Sequence, residues 1–137
     1  METHVMSETA LRRVRSPTRV TLVDADAALA EVSQQLLERA DPGLAVETIP
    51  PGDAAERLRA GGADCVVCAR EVRDAGPREL FEATRAGEPW RPFVLVGWPP
   101  AGQVRDPLLA EPATAYVRRT VEEAWHETVA RRVRSLL

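Results

Sequence analysis

Two groups of residues in this sequence have types and spacings that could do chemistry. Asp24 and Asp26 directly follow a β-branched run, and neighbouring carboxylates of this kind can hold a divalent cation. Cys65 and Cys68 form a C-x-x-C pair, a spacing found in redox centres and in half of a zinc site. The two histidines are too scattered to complete a ligand set with them. Whether either group is a site depends on the elements that carry it.

From Arg19 onward, the apolar pattern alternates between strands and helices. Short apolar or β-branched runs predict strands at residues 20–23, 44–49, 65–68, 93–96 and 115–117. Helical spacing and capping residues predict helices at 27–40, 53–60, between 77 and 87, and at 120–136, while prolines limit 103–110 to a short or broken helix. Parallel strands need crossover connections of this kind. The sequence therefore predicts an α/β fold, a doubly wound three-layer sandwich around a five-stranded parallel sheet.

The composition is that of one globular domain. The chain has 137 residues, 45% hydrophobic and 28% charged, which is enough for one ordinary core. No stretch approaches the roughly 20 apolar residues that span a bilayer, and no apolar region follows the first arginines, so we expect a cytoplasmic protein without membrane contact. We expect residues 1–18 to be a disordered segment and residues 19–137 to be the domain. A net charge of −3 gives no overall electrostatic case for nucleic acid.

The predicted third strand decides the interpretation of the cysteines. Side chains three positions apart on a strand point to opposite faces of the sheet. Cys65 and Cys68 therefore cannot close on one metal ion, or form a disulfide, without breaking the strand. We favour two buried structural cysteines.

Specific positions resemble the receiver domain of two-component response regulators over nearly all of residues 19–137. The acidic group at residues 24–26 ends the first strand, Asp64 opens the third strand, and Tyr116 and Arg119 accompany the fifth. The resemblance implies a flavodoxin-like sheet with strand order 2-1-3-4-5. It also implies phosphoryl transfer to an aspartate at the end of the third strand, with a divalent cation held by that aspartate and the acidic pair of the first strand.

The positions that carry this chemistry are altered here. The phosphoacceptor position aligns with Ala69, whose methyl group can neither attack phosphorus nor bind a metal ion. The second acid of the pair aligns with Ala25, the hydroxyl position after the fourth strand aligns with Gly97, and the basic position is Arg119 rather than lysine. The resemblance therefore implies a degenerate receiver with no catalytic residue, metal or cofactor. Its vacated phosphorylation pocket comprises Asp24, Ala25, Ala69, Gly97 and Arg119.

The carboxylates that remain near this pocket are not expected to replace the lost ones. Glu71 and Asp74 lie just downstream, but a loop side chain would have to be positioned anew to accept a phosphoryl group. Asp24 and Asp26 could be the remnant of a cation site. We favour a structural explanation, in which Asp26 caps a helix and Asp24 is the ionic partner of Arg119.

Because nothing follows the last predicted helix, we expect a stand-alone pseudo-receiver that regulates by binding protein. The partner is another protein or a second copy, in a homodimer through the last helix and the fifth strand. The expected interface residues are Trp98, Tyr116, Arg118 and Trp125. Tyr116 is equally explained as a core residue of a strand, and Trp98 as a side chain folded inward to fill the vacated pocket.

Two other functions stay open. Arginines near both ends could bind DNA, although solvated charge is their more common role; they are Arg12, Arg13, Arg15, Arg131, Arg132 and Arg134. The vacated acidic pocket could instead bind a small molecule. An enzyme is least expected, because no nucleophile, base and orienting group can be assembled from these residues.

Overall fold

The computed structural model describes residues 16–69, 77–86, 88, 90–97, 110–119 and 124–137, in which five strands alternate with four helices. The strands are β1 (Thr18–Val23), β2 (Leu44–Ile49), β3 (Cys65–Ala69), β4 (Phe93–Gly97) and β5 (Thr114–Arg118). The helices are α1 (Ala27–Ala40), α2 (Pro51–Ala60), α3 (Pro77–Arg85) and α4 (Trp125–Leu136). The strands pair in parallel in the order β2-β1-β3-β4-β5. The predicted α/β fold and strand order are confirmed.

Capping and first-turn residues explain where α1 and α2 begin. Asp26 accepts the Leu29 N–H at 3.0 Å, so its predicted role as the N-cap of α1 is confirmed. α2 begins at Pro51 rather than at Asp53, because a proline in the first turn has no N–H that needs a partner. α4 begins at Trp125, later than predicted, and the proposed capping box at residues 120–123 lies outside the described residues. Residues 1–15 and 103–109 also lie outside them.

The sheet carries an apolar core on each face. β3 and β4 are buried along their whole length, which explains their continuous apolar runs. α1 and α4 cover one face, where the buried helix residues include Ala30, Leu37, Val129 and Val133. α2 and α3 cover the other face, where they include Ala54, Leu58, Leu80 and Phe81. The result is the predicted three-layer arrangement.

The turn that leads into β5 is held by an arginine of α3. Arg85 Nη2 donates to the carbonyls of Pro112 and Ala113 at 2.7 and 3.0 Å. Ala113 has a φ of 55°, in the left-handed region that side chains other than glycine rarely adopt. These bonds fix the start of β5 and therefore the position of Arg119 at its far end.

Residues at the end of α1 and directly after it bond to the outer edge of β2. In the described sheet β2 pairs only with β1, which leaves half of its backbone groups facing outward. Glu38 of α1 accepts the Val46 N–H at 2.8 Å, and the Asp41 carbonyl accepts the Leu44 N–H at 3.0 Å. Two outward N–H groups of this edge strand are therefore already bonded.

Ser33 offers a direct test of the packing of α1. It is fully buried, and its Oγ has no hydrogen-bond partner among the described residues. We expect Ser33→Ala to raise the free energy of unfolding by about 1 kcal/mol, because it removes an unsatisfied buried hydroxyl and alanine is the better helix former. Urea unfolding measures the change, and a destabilised variant would contradict the assignment. Thr84→Val is the matched control, because the equally buried Thr84 hydroxyl donates to the Leu80 carbonyl at 2.7 Å and its loss should destabilise.

Candidate functional site

The carboxyl ends of β1, β3, β4 and β5 lie along one edge of the sheet, where parallel α/β sheets place their binding crevices. Ala69 ends β3 and Gly97 ends β4, while Asp24 and Arg119 directly follow β1 and β5. Ala25 is exposed next to Asp24. The fold thus places the five residues of the predicted pocket at one edge.

Asp24 and Arg119 form a buried ion pair at this edge. Arg119 Nη2 lies 3.3 Å from Asp24 Oδ2. The side chain of Arg119 is only 4% exposed, and that of Asp24 only 6%. The other carboxylate oxygen of Asp24 accepts the Asp26 N–H at 3.0 Å. Both oxygens of Asp24 are therefore engaged, and the predicted pairing with Arg119 is confirmed.

This contact reaches across the sheet. β3 and β4 lie between β1 and β5, so a bond between residues that follow β1 and β5 crosses the carboxyl ends of β3 and β4. Adjacent strands are about 4.8 Å apart, a span that a long arginine side chain helps to cover. The two strands between β1 and β5 end in Ala69 and Gly97.

Arg119 is held by its backbone and by an aromatic ring as well. Its N–H donates to the Gly97 carbonyl at 2.9 Å, and its guanidinium carbon lies 4.6 Å from the centroid of the Trp125 ring. A cation above an indole face is attracted by the ring quadrupole. Its Nε is buried and has no hydrogen-bond partner in the part of the chain that the structure describes. The guanidinium is therefore fixed inside the domain rather than extended into solvent.

Tyr116 is joined to the same edge through Gly97. Its hydroxyl donates to the Gly97 carbonyl at 3.0 Å, and its half-buried ring packs against the core beneath α2 and α3. The interpretation of Tyr116 as a core residue is supported, and its role as a contact stays a prediction. The sequence contained no signal for the bond to Gly97, because that bond depends on the pairing of β4 with β5.

Trp125 lies in the core and not on the surface. It is 7% exposed and packs in the cluster between the sheet and the helix pair α1 and α4. The prediction that Trp125 contacts a partner is wrong, because the helical spacing that it shares with Val129 and Val133 turns it toward the sheet. Of the other predicted interface residues, Arg118 is exposed, and Trp98 lies outside the described residues.

The cysteines are structural, as predicted. Cys65 and Cys68 are both buried, and they belong to the cores on opposite faces of the sheet. Burial raises the pKa of the Cys65 thiol to about 12, with a further contribution from the charge of Asp64. Within the described residues, no group of three or more histidine, cysteine or acidic side chains could hold a metal ion.

The C-terminal arginines have different environments. Arg131 and Arg132 are exposed on α4, whereas Arg134 donates to both carboxylate oxygens of Asp41, at 2.6 and 3.2 Å. This hydrogen bond lowers the pKa of Asp41. Arg12, Arg13 and Arg15, the other half of the predicted basic strip, lie outside the described residues. Among the helices that are described, none is long and apolar enough to cross a bilayer.

His126 should give the domain a measurable pH dependence. Its Nε2 is buried without a partner in the described region, and burial, followed by the charge of Arg119, lowers its pKa from 6.5 to about 4. The unfolded chain therefore takes up the proton first as the pH falls, so the stability contributed by His126 is complete above pH 6.5 and is lost toward pH 4. We expect wild type to lose more unfolding free energy between about pH 7 and pH 5 than His126→Gln. Urea titrations at the two pH values measure this, and equal losses would contradict it.

Comparison with known proteins supports the fold. No protein-family model matches this chain, and no curated protein matches it. Among solved structures, a response regulator receiver protein from Sinorhizobium medicae WSM419 is 18% identical, with a TM-score of 0.70 over 90% of this chain and 95% of that chain. A chain in the complex of the histidine kinase ThkA with the response regulator protein TrrA is 17% identical, with a TM-score of 0.69 over 88% and 98%. The beryllofluoride-activated NtrC4 receiver domain dimer is 14% identical, with a TM-score of 0.65 over 88% and 99%. The chain therefore has the fold of response-regulator receiver domains.

Proposed function

We propose that this chain is a pseudo-receiver, a domain with the receiver fold that regulates by binding protein and is not phosphorylated at the usual position. The buried ion pair of Asp24 and Arg119 carries the proposal. It engages the remaining acid of the pocket with an internal cation, beside an alanine in the place of the phosphoacceptor. A domain built in this way lacks the usual carboxylate at the end of β3 to receive a phosphoryl group, so we expect its activity to lie in what it binds.

The residues at this edge do not fit the divalent cation that the receiver fold implies. Mg²⁺ requires several oxygen ligands in near-octahedral geometry. Asp24 has already committed one oxygen to the Asp26 N–H and the other to Arg119, and neither Ala25 nor Ala69 has a side-chain oxygen. A guanidinium 3.3 Å from the carboxylate would also repel a second positive charge. Arg119 supplies the positive charge that a bound cation would otherwise bring to Asp24.

Intact-mass measurement tests the phosphorylation part of the proposal. The protein is incubated with a small phosphodonor and Mg²⁺, beside a phosphorylatable receiver in the same mixture as a control for the reagents. We expect the control to gain the mass of a phosphoryl group and this chain to keep its own mass. A phosphoryl adduct that disappears in Glu71→Gln or Asp74→Asn variants would show that a downstream carboxylate has taken over, and would overturn this part.

The exposed side of β5 supports the protein-binding part. Arg118 is exposed beside the half-buried Tyr116, on a strand that in the described sheet pairs only with β4. The complex of ThkA with TrrA and the NtrC4 dimer are examples of protein contacts made by neighbours of this fold. Arg118 is the better residue to change, because Tyr116 also bonds to Gly97 and its loss would affect packing.

Co-purification at two salt concentrations separates protein binding from nucleic-acid binding. We expect wild type to recover the same protein at both salt concentrations, and Arg118→Glu to lose it. Arg132→Glu is the matched control, a charge reversal at an exposed position of α4 that should leave recovery unchanged. Recovery of nucleic acid that falls steeply with salt and with Arg132→Glu would instead support the DNA-binding alternative.

A further inference from the structure

Trp90 is unusually exposed for its size. It lies in the turn before β4, which is closed by a bond from the Arg91 N–H to the Glu88 carbonyl at 3.1 Å, and it is 67% exposed. Leu137, which is 53% exposed, lies at the same end of the domain. This is the amino-terminal edge of the sheet, opposite the edge that carries Asp24 and Arg119. Exposed tryptophan is enriched among the residues that dominate binding energy at protein interfaces.

Two adjoining grooves run along this edge beside Trp90. One has a volume of about 460 Å³ and is lined by residues that include Ala63, Asp64, Trp90 and Leu136. The other has a volume of about 720 Å³ and shares Asp64 and Leu137 with the first. Both volumes are in the range of pockets that hold a drug-sized molecule, so either groove has room for an indole side chain.

We propose that a second copy of this chain docks on this edge in a two-fold arrangement, with Trp90 of each copy seated in a groove of the other. A two-fold contact needs a surface that is complementary to itself. Here the projecting side chain and the concave surface lie next to each other on the same edge, so one rotation seats both tryptophans at once. The docking surface is distinct from the Asp24–Arg119 edge and does not depend on the proposed function.

The charges around the apolar residues are self-complementary too. Glu88 and Arg19 are both exposed, and neither has an ionic partner among the described residues. The Arg19 backbone adjoins the groove, because its N–H donates to Asp64 Oδ2 and its carbonyl accepts the Asp64 N–H, both at 2.8 Å. Arg19 itself lines a neighbouring cavity that shares Ala63 with this groove. In a two-fold contact, the acidic group of one copy can face the basic group of the other. This argument favours a second copy over a partner with a uniformly charged surface.

Sedimentation equilibrium of the full chain tests the proposal. We expect wild type to behave as a dimer that dissociates on dilution, and Trp90→Ala to raise the dissociation constant at least about tenfold. Glu88→Arg and Arg19→Glu should each weaken the dimer, and the double variant should restore it. Val32→Ala is the matched control, because Val32 is 51% exposed on α1 and its truncation should leave the dimer unchanged. Circular dichroism verifies that each variant is folded.

Three outcomes would overturn this proposal. A wild type that stays monomeric at every concentration excludes the second copy. If the Trp90 fluorescence of that monomer becomes quenchable only after residues 1–15 are removed, the chain covers its own groove instead. A dimer that resists Trp90→Ala but dissociates with Arg118→Glu uses the surface of β5.

Discussion

Arg119→Met should lower the free energy of unfolding by about 3–5 kcal/mol, the usual cost of removing one partner from a buried ion pair. The reason is the charge that remains. Asp24 is only 6% exposed, and without Arg119 its Oδ2 would lose its hydrogen-bonding cation inside the domain. The same change removes the cation from the Trp125 ring, which adds to the loss. Urea unfolding, followed by circular dichroism, measures the effect.

The double variant Asp24→Leu, Arg119→Met distinguishes a lost pair from a general packing defect. Replacing both charges with apolar groups removes the unpaired carboxylate, and buried pairs exchanged in this way are often neutral or even stabilising. We therefore expect the double variant to be more stable than Arg119→Met alone. A double variant that is less stable than either single variant would mean that shape, and not charge, makes this edge sensitive.

Trp125→Ala should have an effect of similar size, about 3–5 kcal/mol, because truncating a large buried aromatic side chain leaves a cavity in addition to the lost burial. Trp125 is 7% exposed and belongs to the core under α1 and α4. Trp125→Phe keeps an aromatic ring beneath Arg119 and should lose much less. Urea unfolding should be followed by circular dichroism, because replacing a tryptophan changes the fluorescence signal itself.

The Trp125 variants also separate two interpretations of that residue. A side chain whose only role is to contact a partner can be truncated with a change in stability within about 0.5 kcal/mol. A value in that range for Trp125→Ala would restore the interface role that the sequence indicates. A large loss in the purified domain would instead confirm that Trp125 belongs to the fold.

Much of the architecture could be predicted, because apolar patterns report burial directly. The apolar runs of β3 and β4 indicated strands, which the structure buries along their whole length, and the prolines and glycines between elements marked the turns. The start of α4 was harder, because the sequence at 120–123 satisfies the pattern of a capping box although the described helix begins at Trp125. A local capping pattern does not by itself determine where a helix starts, and Ala124, the N-cap of α4, makes no side-chain capping bond.

The chemistry of the candidate site was predictable only where it depended on residue identity. The resemblance to receiver domains led us to interpret Ala69 and Gly97 as altered catalytic positions, and the residue types of Asp24 and Arg119 indicated complementary charges. The sequence could not show that the bond between Asp24 and Arg119 joins residues that follow β1 and β5, with β3 and β4 between them, because that depends on strand order in three dimensions. Trp125 was counted among the interface residues, although its spacing with Val129 and Val133 already puts it on the apolar face of the last helix, which packs on the sheet.

The bond from the Val46 N–H to Glu38 should also protect the chain against aggregation through its edge strand. An exposed edge strand is a template on which another chain can add by backbone hydrogen bonding, the first step toward fibrous aggregates. At β2 a carboxylate from α1 already accepts one of the outward N–H groups and places a negative charge beside the next strand that would approach. Natural variation at Glu38 should therefore be restrained by solubility in a crowded cell even if it affects neither binding nor stability.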